Sequence, residues 1–293
     1  MGQELAAEFP VARRVFAEID DRLGRPLSRL CFEGPAETLA LTENAQPAIL
    51  ACSVAAYRCL REQFEVDVVA VAGHSLGEWS ALVAVGALDL AEAAVAVEER
   101  GRLMQAAVPL GEGSMAAVMG LEPDDVAQLC REAAGGDVLS PANLNGAGQV
   151  VVAGHARAVD RLATLVPDHG GKVRRLPVSA PFHCALMEPA ARGLAPMVAA
   201  LAVHDPETRV VTSVEARPII DTTDVRTLLI AQVTGPVRWE ETARTLLGLE
   251  PDVLLECGPG RVLSGLMRRM APGLASGSVG AVADLERLSE VLG

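Results

Sequence analysis

The sequence predicts an α/β protein whose mainly parallel sheet carries helices on both faces. Short β-branched apolar runs alternate with amphipathic helical patterns along most of the chain, which is typical of a parallel sheet. Half of the 293 residues are hydrophobic, enough for the core of one large domain. A middle segment has a different order of predicted elements, strand–helix–strand–strand–helix–strand, which predicts a small inserted subdomain.

Composition excludes several function classes. The net charge is −13, which argues against a general nucleic-acid binder. No apolar run reaches the roughly 18 residues of a membrane span, and the N-terminus has no basic start typical of a secretory signal. The six cysteines form no Cys-x-x-Cys pair, so no metal site or disulfide framework is expected. These features predict a cytoplasmic protein without a membrane partner.

The N-terminal third is predicted to be helical up to the first strand. Apolar residues at helical spacing predict a helix over 3–23, and a second helical region covers about 36–63. Gln46-Pro47 is expected to open the longer helix of this region, because proline suits a first turn.

A Gly-x-Ser-x-Gly motif follows the first predicted strand. An apolar run over 66–72 predicts a buried strand, and the Ala/Leu-rich pattern after Gly77 predicts a helix. Between them Gly73, Ser75 and Gly77 match a nucleophile elbow, in which glycines make room for a sharp turn that exposes the serine hydroxyl. The N–H of Leu76, at the helix N-terminus, is positioned to face an oxyanion. The alternative is a plain connector turn.

Segment 112–179 is predicted to fold as a ferredoxin-like subdomain inserted into the large domain. Its order of elements is βαββαβ, and Asn145-Gly146-Ala147-Gly148 gives a strong turn signal between its second and third strands. The large domain is then formed by 1–111 together with 180–293. The predicted strands of the segment are 114–121, 138–144, 149–153 and 173–178, with helices over 123–134 and 156–166.

The remaining elements belong to the large domain. A helix is expected from Asp89 to about Gln105, before the insertion. Beyond it, strands are predicted over 209–214 and 253–257, with helices over 184–201, 225–232, 239–247, 262–270 and 285–292.

A serine nucleophile needs a base, and His183 is the best candidate among five histidines. It follows Ala180-Pro181-Phe182, where the inserted segment rejoins the large domain, and clefts form at such junctions. His74 adjoins the nucleophile and is expected to pack into the turn. His155, His169 and His204 are expected to lie at the surface or to cap helices.

The order of these residues differs from that of a common hydrolase, although the elbow predicts a hydrolase-like core. In α/β-hydrolases the histidine comes after the acid and near the end of the chain. Here more than a third of the chain follows His183. This order weakens the interpretation as an esterase.

A series of motifs resembles the bacterial malonyl-CoA–acyl carrier protein transacylases, which are related to the acyltransferase domains of polyketide synthases. The match runs in order over nearly the whole chain, and the combination of motifs is specific. The motifs are Gly-His-Ser-Leu-Gly-Glu at 73–78, Arg-Gly-Arg-Leu-Met-Gln at 100–105, Asn-Gly-Ala-Gly-Gln-Val-Val at 145–151, Ala-Pro-Phe-His-Cys-Ala-Leu-Met at 180–187, Gly-Pro-Val-Arg-Trp at 235–239 and Glu-Cys-Gly-Pro-Gly-Arg-Val-Leu at 256–263.

The resemblance implies a role for each candidate residue. Ser75 would carry the acyl group as an ester, and His183 would be general base and then general acid. The backbone carbonyl of Gln232 would orient the histidine in place of an aspartate. Arg100 would bind the malonyl carboxylate, a role that suits a guanidinium because it can donate two parallel hydrogen bonds. The alternative for Arg100 is a cation that favours a helix C-terminus.

The resemblance also implies the reaction and its partners. Malonyl would pass from malonyl-CoA to the serine, and then to the phosphopantetheine thiol of acyl carrier protein, in fatty-acid or polyketide synthesis. No metal and no cofactor beyond the substrate's coenzyme A and the partner's phosphopantetheine is implied. A basic patch is expected to receive the acidic carrier protein. Its candidates are Lys172, Arg174, Arg175, Arg268 and Arg269.

The sequence departs from this family at its start. Family members begin with a strand and a Gln-containing loop that completes the oxyanion hole, whereas Met1-Gly2-Gln3-Glu4-Leu5 resembles the segment just after that loop. The strand and loop are therefore expected to be missing. Loss of one oxyanion donor typically costs about 100- to 1000-fold in rate. Two alternatives stay open: a serine hydrolase or thioesterase, and an inactive scaffold that binds carrier protein.

Overall fold

Beyond a helical N-terminal region, strands and helices alternate along most of the chain, as the sequence pattern predicts. The computed structural model describes residues 1–178 and 180–292. The helices are α1 (Gln3–Glu8), α2 (Pro10–Leu23), α3 (Leu27–Glu33), α4 (Ala36–Leu39), α5 (Thr42–Gln63), α6 (Leu76–Ala84), α7 (Leu90–Ala106), α8 (Pro123–Ala134), α9 (Ala156–Leu165), α10 (Glu188–Ala200), α11 (Asp224–Thr234), α12 (Trp239–Leu247), α13 (Val262–Met270) and α14 (Val282–Leu292). The strands are β1 (Ala70–Ala72), β2 (Gly113–Met119), β3 (Leu139–Gly146), β4 (Gln149–His155), β5 (Lys172–Arg175), β6 (Arg209–Val211), β7 (Val253–Cys257) and β8 (Ala275–Val279).

The first predicted helix is broken in two. Phe9 is extended, with φ −104° and ψ 119°, and it separates α1 from α2. Pro10 has no N–H to continue the helical hydrogen bonds of α1, but its fixed φ suits the first turn of α2. The prediction of one helix over 3–23 is therefore wrong at this position.

The long helix α5 lies at the centre of the largest hydrophobic core. It begins at Thr42, so the prediction that Gln46-Pro47 opens it is wrong, and Pro47 lies inside the helix. Helices α2, α6 and α7 pack around α5. Side chains such as Leu50 and Val54 are completely buried between them.

The strands of the large domain form two parallel pairs. β1 pairs with β6, and β7 pairs with β8. Their parallel direction is as predicted. β1 is shorter than the strand predicted over 66–72, however, and β8 was missed because Ala-Ser-Gly-Ser-Val has only one β-branched residue.

A cavity of about 460 Å³ lies between the two parallel pairs. β1 and β7 both line it, and within the described ranges neither strand has a ladder partner besides β6 and β8 respectively. Most of its lining is apolar. It lies behind the Gly73–Gly77 turn and is not lined by Ser75.

The four-stranded sheet confirms the predicted ferredoxin-like order of elements. The strands are antiparallel in the order β3-β4-β2-β5. Alternate residues separate its two faces, as the pleat requires. Ala116 and Val152 pack with α8 and α9, whereas Ala117 and Val151 pack towards Cys184 of the large domain.

Backbone hydrogen bonds join the sheet to the large domain. The N–H of Leu144 donates to the Val237 carbonyl, and the N–H of Val237 donates to the Ala142 carbonyl, each at 2.8 Å. The division into 1–111 with 180–293 and 112–179 stays a prediction, and Ser179 at its boundary lies outside the described residues.

Beyond this boundary the chain does not enter a helix at once. Ala185–Met187 forms a 3₁₀ turn before α10, so the helix predicted from Cys184 begins later. A second 3₁₀ turn covers Val166–His169. Over 1–178 and 180–292, every helix is too short or too polar to cross a bilayer. All six cysteines are free thiols, and five of them are buried.

Candidate active site

Ser75 stands on a strained turn between β1 and α6. Its backbone has φ 52° and ψ −111°, outside the regions that L-residues prefer, and it directly precedes the first residue of the helix. A Cβ at Gly73 would lie 1.8 Å from the carbonyl carbon of Gly77, so only glycine fits there. A Cβ at Gly77 would meet nothing within 4 Å. The expectation that both glycines are needed for lack of space is therefore wrong for Gly77.

The serine hydroxyl lies beside His183. Ser75 Oγ is 2.7 Å from His183 Nε2, and His183 Nδ1 is 2.8 Å from the backbone oxygen of Gln232. A carbonyl oxygen can only accept, so Nδ1 carries the proton and Nε2 of the neutral ring accepts from the serine. The arrangement has the geometry of a nucleophile, a base and a group that orients the base.

His183 is held in its neutral form by its surroundings. Burial, followed by the positive charge of Arg100, lowers the pKa of its imidazole from 6.5 to about 3, against the hydrogen bond to the Gln232 carbonyl, which raises it. The ring is therefore an available proton acceptor across the neutral pH range.

Arg100 projects from α7 into the same site and is 2% exposed. Nη1 donates to Gln46 Oε1 at 2.6 Å, and Nη2 donates to Gln232 Oε1 at 2.9 Å and to Ser75 Oγ at 3.2 Å. Nε has no hydrogen-bond partner among the described residues. Burial lowers the pKa of the guanidinium to about 10, which leaves it charged at neutral pH. A cation with these neutral partners can accept a carboxylate ligand.

The Gln232 side chain and Glu78 extend this network away from the serine. Gln232 Nε2 donates to Glu78 Oε2 at 2.8 Å, and the same oxygen accepts from the N–H of Ser213 at 2.9 Å and from its hydroxyl at 2.6 Å. Burial raises the pKa of the Glu78 carboxyl, while hydrogen bonds from Ser213 and Gln232 oppose this rise.

Leu76 begins α6, so its N–H is among the donors that have no partner within the helix. It lies next to Ser75, where an oxyanion would form. The structure therefore places Ser75, Leu76, Arg100, His183 and Gln232 in one site.

Among the described residues no other histidine is hydrogen-bonded to Ser75. His74 Nε2 is 3.0 Å from Asn145 Oδ1, and the His74 ring packs near Trp239, with ring centroids 5.9 Å apart. His155 accepts from the N–H of Val138, and His169 Nδ1 is 3.1 Å from the Leu165 carbonyl.

Sequence reasoning missed two residues of the network. Gln46 was interpreted only as part of a helix start, although it accepts from Arg100. Glu78 was quoted in a motif without a role, yet a single acid in the apolar helix Leu-Gly-Glu-Trp-Ser-Ala-Leu-Val-Ala was a usable signal. Within 1–178 and 180–292 no group of three or more His, Cys, Asp or Glu side chains could hold a metal ion.

Comparison with known proteins identifies the family. The family model described as "Acyl transferase domain" matches residues 1–282. The chain belongs to the acyl transferase domain family. This acyl transferase is 44% identical to the malonyl CoA-acyl carrier protein transacylase of Haemophilus influenzae over 292 residues, which cover 99% of the chain and 93% of the relative. It is 41% identical to the protein of the same name from Bacillus subtilis (strain 168), over 92% of the chain and 86% of that relative.

Solved structures of the same kind share the fold of this acyl transferase. The malonyl CoA-acyl carrier protein transacylase of Coxiella burnetii has a TM-score of 0.96 and 38% identity, and covers 100% of this chain and 93% of its own. A malonyl-transacylase solved in complex with a type II PKS acyl-carrier protein also has a TM-score of 0.96, with 41% identity, over 99% of this chain and 94% of that chain. The α/β fold with its ferredoxin-like sheet is therefore the acyltransferase fold.

Proposed function

We propose that this acyl transferase moves a malonyl group from malonyl-CoA to the phosphopantetheine thiol of an acyl carrier protein. One observation carries the proposal: the buried guanidinium of Arg100 lies 3.2 Å from the Ser75 hydroxyl and is held by amide oxygens. An acyl group on the serine that ends in a carboxylate would meet this cation. The names of the relatives, malonyl CoA-acyl carrier protein transacylases, support the same substrates.

The first half-reaction forms an ester. His183 Nε2 takes the proton of the Ser75 hydroxyl as its oxygen attacks the thioester carbonyl carbon. The Leu76 N–H donates to the carbonyl oxygen while it carries negative charge. The carbon–sulfur bond then breaks, and His183 returns the proton to the leaving thiolate of coenzyme A.

The second half-reaction reverses these roles. His183 takes the proton of the carrier protein's thiol, whose sulfur attacks the ester carbonyl carbon. The carbon–oxygen bond breaks and Ser75 regains its proton. Each step uses the chain's own groups and two thiol substrates, so the proposal includes no metal and no further cofactor. We also propose a cytoplasmic location, which suits an acidic chain with six free thiols.

Intact-protein mass spectrometry after mixing with malonyl-CoA tests the proposal. We expect a mass increment of one malonyl group that is absent in Ser75→Ala and much smaller with acetyl-CoA, because a buried cation left without its carboxylate discriminates strongly. Addition of carrier protein should transfer the group to its thiol. Release of malonate to water instead would favour the hydrolase, and binding of carrier protein without any acyl-serine would favour the inactive scaffold.

A further inference from the structure

The Gln232 side chain lies between two buried charges. Its Nε2 donates to Glu78 Oε2 at 2.8 Å, and its Oε1 accepts from Arg100 Nη2 at 2.9 Å. A carboxylate can only accept and a guanidinium can only donate, so the two charges together permit one orientation of the amide. The side chain is completely buried, and both hydrogen bonds are charge-assisted.

The same amide holds the nucleophile turn. Gln232 Nε2 lies 3.1 Å from the backbone oxygen of Ser75, while Arg100 Nη2 lies 3.2 Å from the Ser75 hydroxyl. The Gln232 amide therefore holds the Ser75 backbone, and Arg100, which is bound to the same amide, holds the Ser75 hydroxyl. Glu78 belongs to α6, the helix that begins directly after Ser75, and is itself fixed by Ser213.

The amide also keeps the two charges apart. Over the described ranges no ion pair joins Glu78 to Arg100, and the carboxylate reaches the guanidinium only through Gln232. A carboxylate in direct contact would compete with an incoming acyl carboxylate for the same N–H groups. With the amide interposed, the N–H groups of Arg100 meet neutral oxygens, which an incoming carboxylate can displace more easily than a carboxylate in direct contact.

We propose that Gln232, through its side chain, and Glu78, which orients that side chain, are positioning residues that aim Arg100 at carboxylate-bearing acyl groups. The inference rests on the proposed function and names the residues that set its selectivity. It differs from the role of the Gln232 backbone oxygen, which holds His183. A substitution at 232 removes the amide but keeps that carbonyl, so the two roles can be separated.

The test uses two serine-directed fluorophosphonate probes that differ only in a terminal carboxylate. Both report labelling of Ser75, and neither depends on malonyl-CoA. In Gln232→Met we expect the labelling rate with the carboxylate probe to fall about 10- to 100-fold, because a charge-assisted hydrogen bond is lost at each end of the amide. The rate with the neutral probe should fall less, because the backbone oxygen of residue 232 still orients His183 and only the hydrogen bond from the amide to the Ser75 backbone oxygen is lost. The ratio of the two labelling rates therefore carries the test.

Glu78→Gln is the conservative variant. It keeps an oxygen that accepts from Ser213 but removes the charge, so we expect an intermediate loss with the carboxylate probe alone. If Glu78 acts through Gln232, the double variant is no worse than Gln232→Met. Asn44→Leu removes another buried amide, which donates to the Thr38 carbonyl, and should lower stability without changing the ratio of the two labelling rates.

Three results would overturn the inference. Equal losses with both probes in Gln232→Met would indicate a general structural role, additive losses in the double variant would indicate independent roles, and an unchanged labelling rate with the carboxylate probe in Gln232→Met would show that the amide does not aim the arginine. A wild type that prefers the carboxylate probe but is not acylated by malonyl-CoA would contradict the proposed function alone.

Discussion

At the scale of single residues, the two side chains that we propose to react both stand on strained backbone. Ser75 has φ 52° and His183 has φ 60°, in the region that disfavours side chains. Such strain costs of order 1–3 kcal/mol and persists only where the surroundings fix it. The strain brings the hydroxyl and the imidazole together at 2.7 Å.

Paired substitutions can measure this strain at Ser75. Ser75→Gly and Ser75→Ala lose the same hydroxyl, but only glycine can adopt a φ of 52° without steric strain from a Cβ. We expect Ser75→Gly to be more stable than Ser75→Ala by about 1 kcal/mol in thermal or urea unfolding. The same pair at Ser80, inside α6, should give the opposite order, because glycine destabilises a helix interior by about 1 kcal/mol relative to alanine. The same order at both positions would show that the turn is not strained.

The low pKa of His183 determines the pH dependence of Ser75 reactivity. Burial and the charge of Arg100 bring this pKa to about 3, so the base stays neutral as the pH falls below 6.5. We expect the rate of labelling by a neutral fluorophosphonate to be flat from pH 8 down to about pH 5. Arg100→Met removes a positive charge that lowers the pKa of His183. In this variant the labelling rate should therefore begin to fall at a higher pH than in the wild type. A wild-type midpoint near pH 6.5 would contradict this account.

The same shift makes folding depend on pH. Between about pH 6.5 and pH 3 the unfolded chain takes up a proton at residue 183 that the folded protein does not. The contribution of His183 to the free energy of unfolding therefore decreases as the pH falls through this window.

At the scale of elements, the elbow depends on one glycine more than on the other. A Cβ at Gly73 would lie 1.8 Å from the Gly77 carbonyl carbon, whereas a Cβ at Gly77 would meet open space. We expect Gly73→Ala to lower the free energy of unfolding by about 3 kcal/mol or more, because backbone must move. Gly77→Ala should leave stability unchanged or raise it by up to about 1 kcal/mol. Urea denaturation of the two variants checks this, and similar losses in both would refute it.

The elements that sequence predicts best are those set by local pattern. The Gly-x-Ser-x-Gly turn, its helix and the βαββαβ order all follow from short-range periodicity and turn residues. The break at Phe9 follows from Pro10, a local signal that the helical periodicity over 3–23 concealed. Pro47 lies inside α5 because the helix begins earlier, at Thr42. β8 forms because β7 supplies a ladder partner, which its own composition does not reveal.

The residues of the candidate site also divide into those that sequence reasoning found and those that only the fold reveals. Ser75 and His183 were found from a motif and from a junction in the chain, and Arg100 and Gln232 from resemblance. The roles of Gln46 and Glu78 depend on contacts between residues that are far apart in the sequence. Gln46 lies 54 residues from Arg100, and Glu78 lies 154 residues from Gln232. Such side-chain contacts follow only from the folded structure.

At the scale of the whole molecule, charge governs how a partner approaches. The chain has a net charge of −13, so an acidic carrier protein needs a local basic surface. Lys172 and Arg174 are exposed on β5. Arg175 is less suitable than predicted, because it pairs with Asp160 and donates to Ser114.

Charge reversal tests this surface. We expect Arg174→Glu to raise the KM for carrier protein about 3- to 10-fold, with a weaker effect at high salt and no change in the KM for malonyl-CoA. Arg14→Glu, on the exposed face of α2, makes the same change in net charge and should have no such effect. Equal effects of the two variants would indicate a response to net charge alone.

The cavity between β1 and β7 has a practical consequence for stability measurements. An apolar hollow of about 460 Å³ that opens to solvent should bind environment-sensitive dyes such as ANS in the native state. The folded protein would then fluoresce before any heating, and a dye-based melting curve would report displacement from this hollow as well as unfolding. Circular dichroism or calorimetry avoids this background.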